Sequence, residues 1–599
     1  MAEQYVNVRN LKFMLHEVLD AVQLNQYDYF KDYDSEAFDM TLDAAKQIGD
    51  QHLFPLYREM DKKKAYYKDG QVHTHPKLKS IIKAIADGGW IAAHSDYEDG
   101  GQQMPLTLMN AGLFIFYAAN ANAAAYAFLT QGASNLLKSF ASDELKQAYM
   151  PQMYNGDWQG TMALTEPQAG SSLTDITSTA IPSGNGHYKI KGQKIYISGG
   201  DHEACDNVVH LLLARIQGAP AGTKGISLFV VPKYRNENDT LVNNDVTTAG
   251  LYGKMGQKGY VAAHLMLGEK DDCHGYLVGA EHHGLPYMFQ MMNEARIATG
   301  MMAAATASGA YYAALQYANE RPQGRHPSSK DATLPQVQII EHADVRRMLL
   351  FQKAVVEGSL SLLLYCSMLA DKENVCEGEE KEDAKFLLEL LTPIAKSYPS
   401  EFGNFAVSIG MQCLGGAGYC DDFPLEQYYR DIRVNSIYEG TTGIHGMDLL
   451  GRKVMMAKGK GLKLFLAAVQ EAIAAASGIP ALEKACAQLT TSTKSLHELT
   501  MHLINLAMND RPEVFLADAT LYLEYFSHVT IAWQWLLQGH KAHLAINDGL
   551  APDEYNFYMG KIKTMEYFFE YELPKIKGLH ERLMSNQRTT LETEPAFIN

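Results

Sequence analysis

Residues 226–232, Ile226-Ser227-Leu228-Phe229-Val230-Val231-Pro232, decide the fold. A β-rich apolar run this short, closed by a proline, reads as a buried strand, since a helix needs a longer periodic pattern. The connections around it show how the strands join: Ser183-Gly184-Asn185-Gly186, residues 218–225 and residues 233–245 are polar, turn-rich and helix-poor. A parallel α/β layout would need helices between the strands. The stretch from Thr161 to Leu285 is therefore expected to be an antiparallel barrel or sandwich.

Working outward, both flanks turn helical. Upstream, Leu78, Ile81, Ile82, Ile85 and Ala86 recur at three- and four-residue steps, the helical period. Gly-rich Asp87-Gly88-Gly89-Trp90 and Glu98-Asp99-Gly100-Gly101 precede an Ala-rich run, Leu106 to Ala127, expected to be a buried helix. Downstream, long helical patterns such as Met301 to Arg321 and Val337 to Ala370 return, interrupted by the acidic, exposed connection Asn374 to Asp383. Past Gly459-Lys460-Gly461, aromatics including Tyr522, Tyr525, Phe526, Trp533 and Trp535 mark a further helical module. The expected class is α+β, with an N-terminal arm at 1–33, a helical domain at 34–160, a β domain at 161–285, a helical bundle at 286–458 and an appended helical module at 459–599.

Composition narrows function. The 599 residues carry 52 Lys+Arg against 69 Asp+Glu, a net charge of −17, which opposes non-specific binding to nucleic acid or anionic lipid. Seven cysteines without a CxxC pair point to a reducing compartment. The N-terminus has neither the cationic, apolar layout of a signal peptide nor the Arg-rich, acid-poor character of a transit peptide. The most apolar stretches, such as Ala118 to Leu129, fall short of the ~20 residues of a membrane span, and Asn120 and Asn122 interrupt them. The expectation is a cytoplasmic protein with no membrane span and no nucleic-acid partner.

Five segments carry candidate chemistry. Met162-Ala163-Leu164-Thr165-Glu166-Pro167-Gln168-Ala169-Gly170-Ser171-Ser172 offers a small-residue loop whose N–H and hydroxyl groups suit an anionic or planar ligand; alone it would be an ordinary loop. Lys194 to Gly200 puts Tyr196 and Ser198 on one face of a strand, a pattern that core packing also produces. Asn319 to Arg325 ends a long helix with Arg321 and Arg325, suited to phosphate or simply to the helix dipole. Gln412-Cys413-Leu414-Gly415-Gly416-Ala417-Gly418-Tyr419 is Gly-rich but follows no strand, so it is a poor Rossmann signal. Arg430 to Thr442 holds one carboxylate, Glu439, in an apolar, hydroxyl-rich turn where desolvation raises a carboxyl toward the range of a general base; a helix-end acid facing water is the plain alternative. His73-Thr74-His75 and His282-His283 lack further ligands at metal spacing, and no metal is expected.

The order and spacing of the five segments, from about Asp34 to Lys458, resemble the acyl-CoA dehydrogenases, flavoproteins that desaturate acyl-CoA thioesters. The long bacterial branch is the most similar, through Val8-Arg9-Asn10-Leu11-Lys12-Phe13, Met292-Asn293-Glu294-Ala295-Arg296 and the extra C-terminal helices. The resemblance implies FAD held by Met162, Leu164, Thr165, Gly170 and Ser171, with Tyr196 and Ser198 beside the isoalloxazine and Thr441 also at the cofactor. It implies that Arg321, Gln412, Gly415 and Gly416 reach the diphosphate and adenosine from a neighbouring subunit, hence a homodimer. Ser171, Arg296, Tyr438 and Gly440 would border the acyl-CoA, and Glu439 would be the catalytic base. Some members carry that base just before the arginine equivalent to Arg296, where this chain has Ala295. Three positions depart from the family pattern on the cofactor side: Ser172 for Asp, Gly324 for Phe and Gly443 for Gln.

By the same resemblance Glu439 removes the α-proton of a fatty or 3-methylthiopropionyl thioester and flavin N5 takes the β-hydride. Electrons then pass to an electron-transfer flavoprotein. An acyl-CoA oxidase would share these motifs, and a non-catalytic DNA-binding flavoprotein of the alkylation-response type is the rival from another class; the latter needs a basic surface that Leu482 to Lys494 does not supply.

Overall fold

The computed structural model describes residues 3–238, 240–329, 331–549 and 551–599. The chain forms two compact units. Met1–Asp39, Pro105–Phe114 and Arg296–Asn599 make the first, and Met40–Met104 with Ile115–Ala295 the second.

The second unit contains the strands. Tyr66–Lys68 (β1) and Gln71–His73 (β2) form a small hairpin, as do Tyr234–Glu237 (β8) and Thr240–Asn243 (β9). The main sheet comprises Trp158–Ala163 (β3), Thr179–Pro182 (β4), Tyr188–Ser198 (β5), Asn207–Ile216 (β6), Ile226–Pro232 (β7), Val246–Leu251 (β10), Ala262–Leu267 (β11) and His274–Leu277 (β12). Its order is β10-β11-β5-β12-β7-β6-β3, with β4 against β5 and β6.

Most pairs are antiparallel, as the connections imply, but β3 and β4 each run parallel to β6. These two parallel pairs depart from the wholly antiparallel barrel or sandwich expected. Here the intervening strands themselves supply the long connection that parallel neighbours require.

Strand β7 is buried along its whole length. On one face of the sheet Val209, Leu211, Leu213, Leu228 and Val230 pack with Leu136 and Leu137 of the Leu106–Phe140 helix and with Met150 and Met153 of the Asp143–Tyr154 helix.

The Leu106–Phe140 helix extends well past its Ala-rich centre and breaks at Asn120 (φ −165°, ψ 89°). Asn120 Nδ2 donates to the Leu53 carbonyl at 3.2 Å, and its Oδ1 accepts from Ala123 N at 3.3 Å. The side chain thus caps the helical segment that restarts there.

This helix and Ala343–Val375 each carry a window apolar enough to cross a membrane, contrary to the expectation that no stretch is long enough. Those windows are 94% and 83% buried inside the protein. A helix enclosed on most sides has no need of a polar face, which accounts for the composition.

The first unit is helical. The acidic segment 374–383, expected to be a connection, is mostly the start of the Gly378–Leu414 helix, with Glu379 and Glu380 in its first turn. Negative charge is favourable at that end of the helix dipole.

In the Ala519–Asn547 helix Tyr522, Tyr525, Phe526, Trp533 and Trp535 are buried, and Trp535 Nε1 donates to the Ala354 carbonyl at 3.0 Å. A Cβ on Gly358 would lie 2.8 Å from the same Nε1, so the two helices meet at a glycine. Below this contact Glu357 is paired with Lys353 and, at 2.7 Å, with Lys561, which also donates to Asn10 Oδ1. Ala457, Lys458 and Gly459 are successive left-handed residues within the Met456–Ala476 segment.

Candidate active site

The base side lies in the first unit. Between the short turn Arg433–Ser436 and the helix Thr442–Gly451 the chain makes a tight reversal, with Glu439 at φ +54° and Gly440 at φ +88°. Left-handed backbone disfavours a glutamate, so its neighbours must hold it there. His445 Nε2 donates to the Glu439 carbonyl at 3.0 Å, and Lys396 Nζ donates to the Gly440 carbonyl at 2.8 Å. A Cβ on Gly440 would fall 2.9 Å from His445 Nε2, so the position admits only glycine without a shift.

Electrostatics follow from that packing. Burial pushes the Glu439 carboxyl above its ordinary value, against the opposing pull of Arg296 and Lys396. Burial lowers Lys396 to about 8, although Glu439 and Glu401 favour its charged form. His445 falls to about 3 through burial, reinforced by Arg296 and Lys396, and is therefore the neutral donor that the turn requires. Burial likewise lowers Arg296, whose Nη1 lies 3.4 Å from Asp448 Oδ2. Tyr438 OH sits 3.0 Å from Asn435 Oδ1, and Thr441 is exposed at the N-terminal cap of the following helix.

The remaining candidates of this unit form a second patch. Arg321 is exposed just past the Gly284–Glu320 helix, and Gln412, Gly415 and Gly416 are exposed where Gly378–Leu414 ends. Tyr317 and Phe423 link these two regions edge to face, with ring centroids 5.4 Å apart. A Cβ on Gly415 or Gly416 would meet nothing within 4 Å, so a ligand can approach the backbone there closely. Gly324, where the family pattern has Phe, adopts φ +70°, a conformation that explains the glycine.

The second unit carries the other group. Glu166 and Lys194 pair at 2.8 Å with side chains 1% and 0% exposed. Lys194 Nζ also donates to the Leu164 carbonyl at 3.0 Å, and Glu166 accepts from Thr177 N, Ser178 N and Thr177 Oγ1. Burial alone would raise the Glu166 carboxyl, but Lys194 and these donors bring it down to about 2.

The loop is thus anchored at Leu164 and Glu166, while Gly170 and Ser171 stay exposed and Met162, Leu164 and Thr165 are half-buried. Tyr196 is 59% exposed, with φ +58° and its ring 4.2 Å from that of Tyr252. The register of β5 against β11 shifts there, a bulge that simple strand alternation does not announce. Ser198, two residues on, is half-buried.

Other sequence candidates resolve simply. His73 pairs with Glu203 at 2.8 Å and His75 with Glu59 at 3.3 Å. Glu294, next to Ala295, belongs to the second unit and accepts from Asn135 Nδ2 at 3.0 Å.

Sequence reasoning missed Lys396 and His445. The available signal for Lys396 was a lysine inside an apolar helical run with no carboxylate three or four residues away, since Thr392, Pro393, Pro399 and Ser400 occupy those positions.

The exposed arginine and closely approachable glycines of the first unit are donor types suited to a diphosphate, and the hydroxyls and exposed aromatic ring of the second are types suited to a polyol and a planar ring, so each unit by itself fits part of a flavin dinucleotide. Together with the helical, β and helical order they define a flavin-dependent dehydrogenase class.

The chain belongs to the acyl-CoA dehydrogenase family, whose members are FAD-dependent oxidoreductases. Family models for the acyl-CoA dehydrogenase N-terminal, middle and C-terminal domains match residues 35–157, 161–269 and 282–455, and an acetyl-CoA dehydrogenase C-terminal like model matches 465–594. Butyryl-CoA dehydrogenase of Syntrophomonas wolfei is 33% identical over 616 residues, covering 100% of both chains. The 3-methylmercaptopropionyl-CoA dehydrogenase of Ruegeria pomeroyi is 33% identical over 96% of this chain and 97% of its own. Among solved structures, the FAD complex of an acyl-CoA dehydrogenase from Bacillus anthracis shares the fold, with a TM-score of 0.74 and 21% identity over 96% of this chain and 92% of that one.

Proposed function

We propose that this chain desaturates an acyl-CoA thioester between Cα and Cβ to the trans-2-enoyl-CoA, with Glu439 as the general base. The observation that carries the reading is the Glu439 turn. A carboxyl raised by burial sits on a left-handed backbone whose two carbonyls are held by His445 and Lys396. Such a carboxylate is basic enough to accept an α-proton and fixed enough to do so repeatedly. Its own main-chain N–H is read, from the family resemblance, as a donor to the thioester oxygen, a contribution on the order of 3 kcal/mol to the developing negative charge.

When bound, FAD supplies the acceptor for the β-hydride at flavin N5. Met162, Leu164, Thr165, Gly170, Ser171, Tyr196, Ser198 and Thr441 are the residues we assign to hold it. Arg321, Gln412, Gly415 and Gly416 are assigned to the diphosphate and adenosine of a second copy, which makes a homodimer the expected assembly. Their exposure supports this reading. Ser171, Arg296, Tyr438 and Gly440 are assigned to the thioester. The five-part organisation at 1–33, 34–160, 161–285, 286–458 and 459–599, an electron-transfer flavoprotein as acceptor and a cytoplasmic location complete the proposal.

Butyryl-CoA and 3-methylthiopropionyl-CoA are the first substrates to try, given the relatives. Anaerobic titration of the purified protein with a panel of thioesters tests the reading: the flavin band should bleach with one chain class. Bound flavin that bleaches with none of them would overturn it. Rapid oxygen consumption with the same substrate would reassign the acceptor and make the protein an oxidase.

A further inference from the structure

Lys396 is wholly buried in the Gly378–Leu414 helix. An ammonium group is rarely enclosed unless it is paired. Yet its hydrogen-bond partner is a neutral carbonyl, that of Gly440 at 2.8 Å, and no carboxylate oxygen lies within ion-pair distance of its Nζ among the described residues. Its favourable charge partners, Glu439 first and then Glu401, act through space, while Arg296 opposes it.

The placement has a chemical logic. An ion pair made directly with Glu439 would stabilise the carboxylate so strongly that it would cease to be a useful base. A cation tied one residue away, to the Gly440 carbonyl, favours ionisation while leaving both carboxylate oxygens free of it.

Arg296 shares the electrostatic part of this role, since it too pulls Glu439 toward ionisation, whereas Lys396 adds the tether to the Gly440 carbonyl. Arg296, on the Gly284–Glu320 helix, is engaged with Asp448, which also pairs with Arg452 at 2.7 Å. His445, on the Thr442–Gly451 helix, is neutral. Glu401 accepts from Thr442 Oγ1 and faces Glu524 of the Ala519–Asn547 helix. Lys453, buried near Arg296, pairs with Glu389.

We infer that Lys396 is a positioning residue for the base: its ammonium tethers the Gly440 carbonyl and, together with Arg296, supplies positive charge that keeps the neighbouring Glu439 carboxylate ready to accept a proton. The inference rests on the reading of Glu439 as that base.

Lys396→Gln tests it, because glutamine can keep the hydrogen bond but not the charge; Lys396→Arg keeps the charge. The pH dependence of anaerobic flavin bleaching by butyryl-CoA is followed in both variants and the parent. Lys396→Gln should raise the kinetic midpoint of the base by about one pH unit, with flavin content and butyryl-CoA affinity within about threefold of the parent. Lys396→Arg should restore the midpoint.

Infrared difference titration of the carboxylate band, parent against Glu439→Gln and against Lys396→Gln, reads the same midpoint without turnover. An unmoved midpoint in Lys396→Gln by both methods would overturn the proposal, as would a loss of flavin that Lys396→Arg fails to restore. Glu439→Gln separates the two claims. If that variant bleaches normally, the base assignment itself falls; if it is inactive while Lys396→Gln keeps the parental midpoint, only the lysine inference falls.

Discussion

Lys194 holds Glu166 and the Leu164 carbonyl with the same ammonium, at 2.8 and 3.0 Å, and thereby fastens the loop of residues 162–172 to strand β5. The loop owes its shape to an ion pair beneath it, and its surface residues are free to meet a ligand. Lys194→Met strands the Glu166 carboxylate. It should cost about 3 to 5 kcal/mol of stability, read by denaturant unfolding, and should weaken FAD retention in gel filtration. A variant that unfolds like the parent and keeps its flavin would show that the pair carries neither load.

Glu439→Gln preserves the size and packing of the turn while removing the proton acceptor. FAD and acyl-CoA binding should survive, and the rate of anaerobic bleaching should fall on the order of a thousandfold. Stopped-flow spectroscopy at the flavin band measures it, and a normal rate removes Glu439 from the mechanism.

Gly440→Ala meets two obstacles: the left-handed backbone, costing about 1 to 2 kcal/mol, and His445 Nε2 at 2.9 Å from the new methyl. The turn must shift, and the base with it. We expect kcat to fall at least about tenfold, the equivalent of about 1.4 kcal/mol, with most of the flavin retained because, of the residues assigned to its ring side, only Thr441 lies in this turn. Parental turnover would mean that the turn tolerates rearrangement.

Glu439 also gives activity and stability opposite dependences on pH. Its folded value lies above the ordinary 4.5, so bleaching should rise with pH through a midpoint above 4.5. Its contribution to stability is complete below 4.5 and is lost as pH rises through that folded value. Glu166, held at about 2, behaves in the opposite sense: its contribution is present above 4.5 and is lost as pH falls through about 2. Thermal melts of the parent and of Glu439→Gln should therefore diverge as pH rises above 4.5, with the variant gaining relative stability. Parallel curves would contradict the raised value.

Lys561→Met removes one of the two cations on buried Glu357. Since Lys353 remains, the loss should be on the order of 2 kcal/mol, less than for a fully stranded carboxylate. Calorimetric or denaturant unfolding tests it, and an unchanged midpoint would assign the anchoring to Trp535 and its neighbours instead.

Much of the fold was legible because its signals were local. Ile226–Pro232 is a strand of the bounds its composition suggests, and the aromatics of Ala519–Asn547 are core residues of a long helix. Features that depend on distant partners were not legible. The parallel pairs on β6 arise from strands far apart in sequence, and the Tyr196 bulge is a register event between β5 and β11.

At the candidate site, Glu439 stood out as a carboxylate beside a glycine in an apolar turn. Lys396 did not, because its partner Gly440 is 44 residues away and a lysine in a helix normally reaches water. The segment 374–383 was misread because its charge favours a helix start as readily as an exposed connection.

The Lys561 junction joins side chains that the ribosome delivers far apart in time. Asn10 and Lys561 are separated by 551 positions, while the second unit is complete once Ala295 has emerged. At about 5 to 20 residues per second, roughly 10 to 50 s pass between those events. During that interval Asn10 lacks its ammonium partner, Glu357 once made has only Lys353, and the apolar surface destined for the last helices has nothing to cover it. The first unit can therefore close its core only after the last helices have been made, well after the second unit has all of its residues.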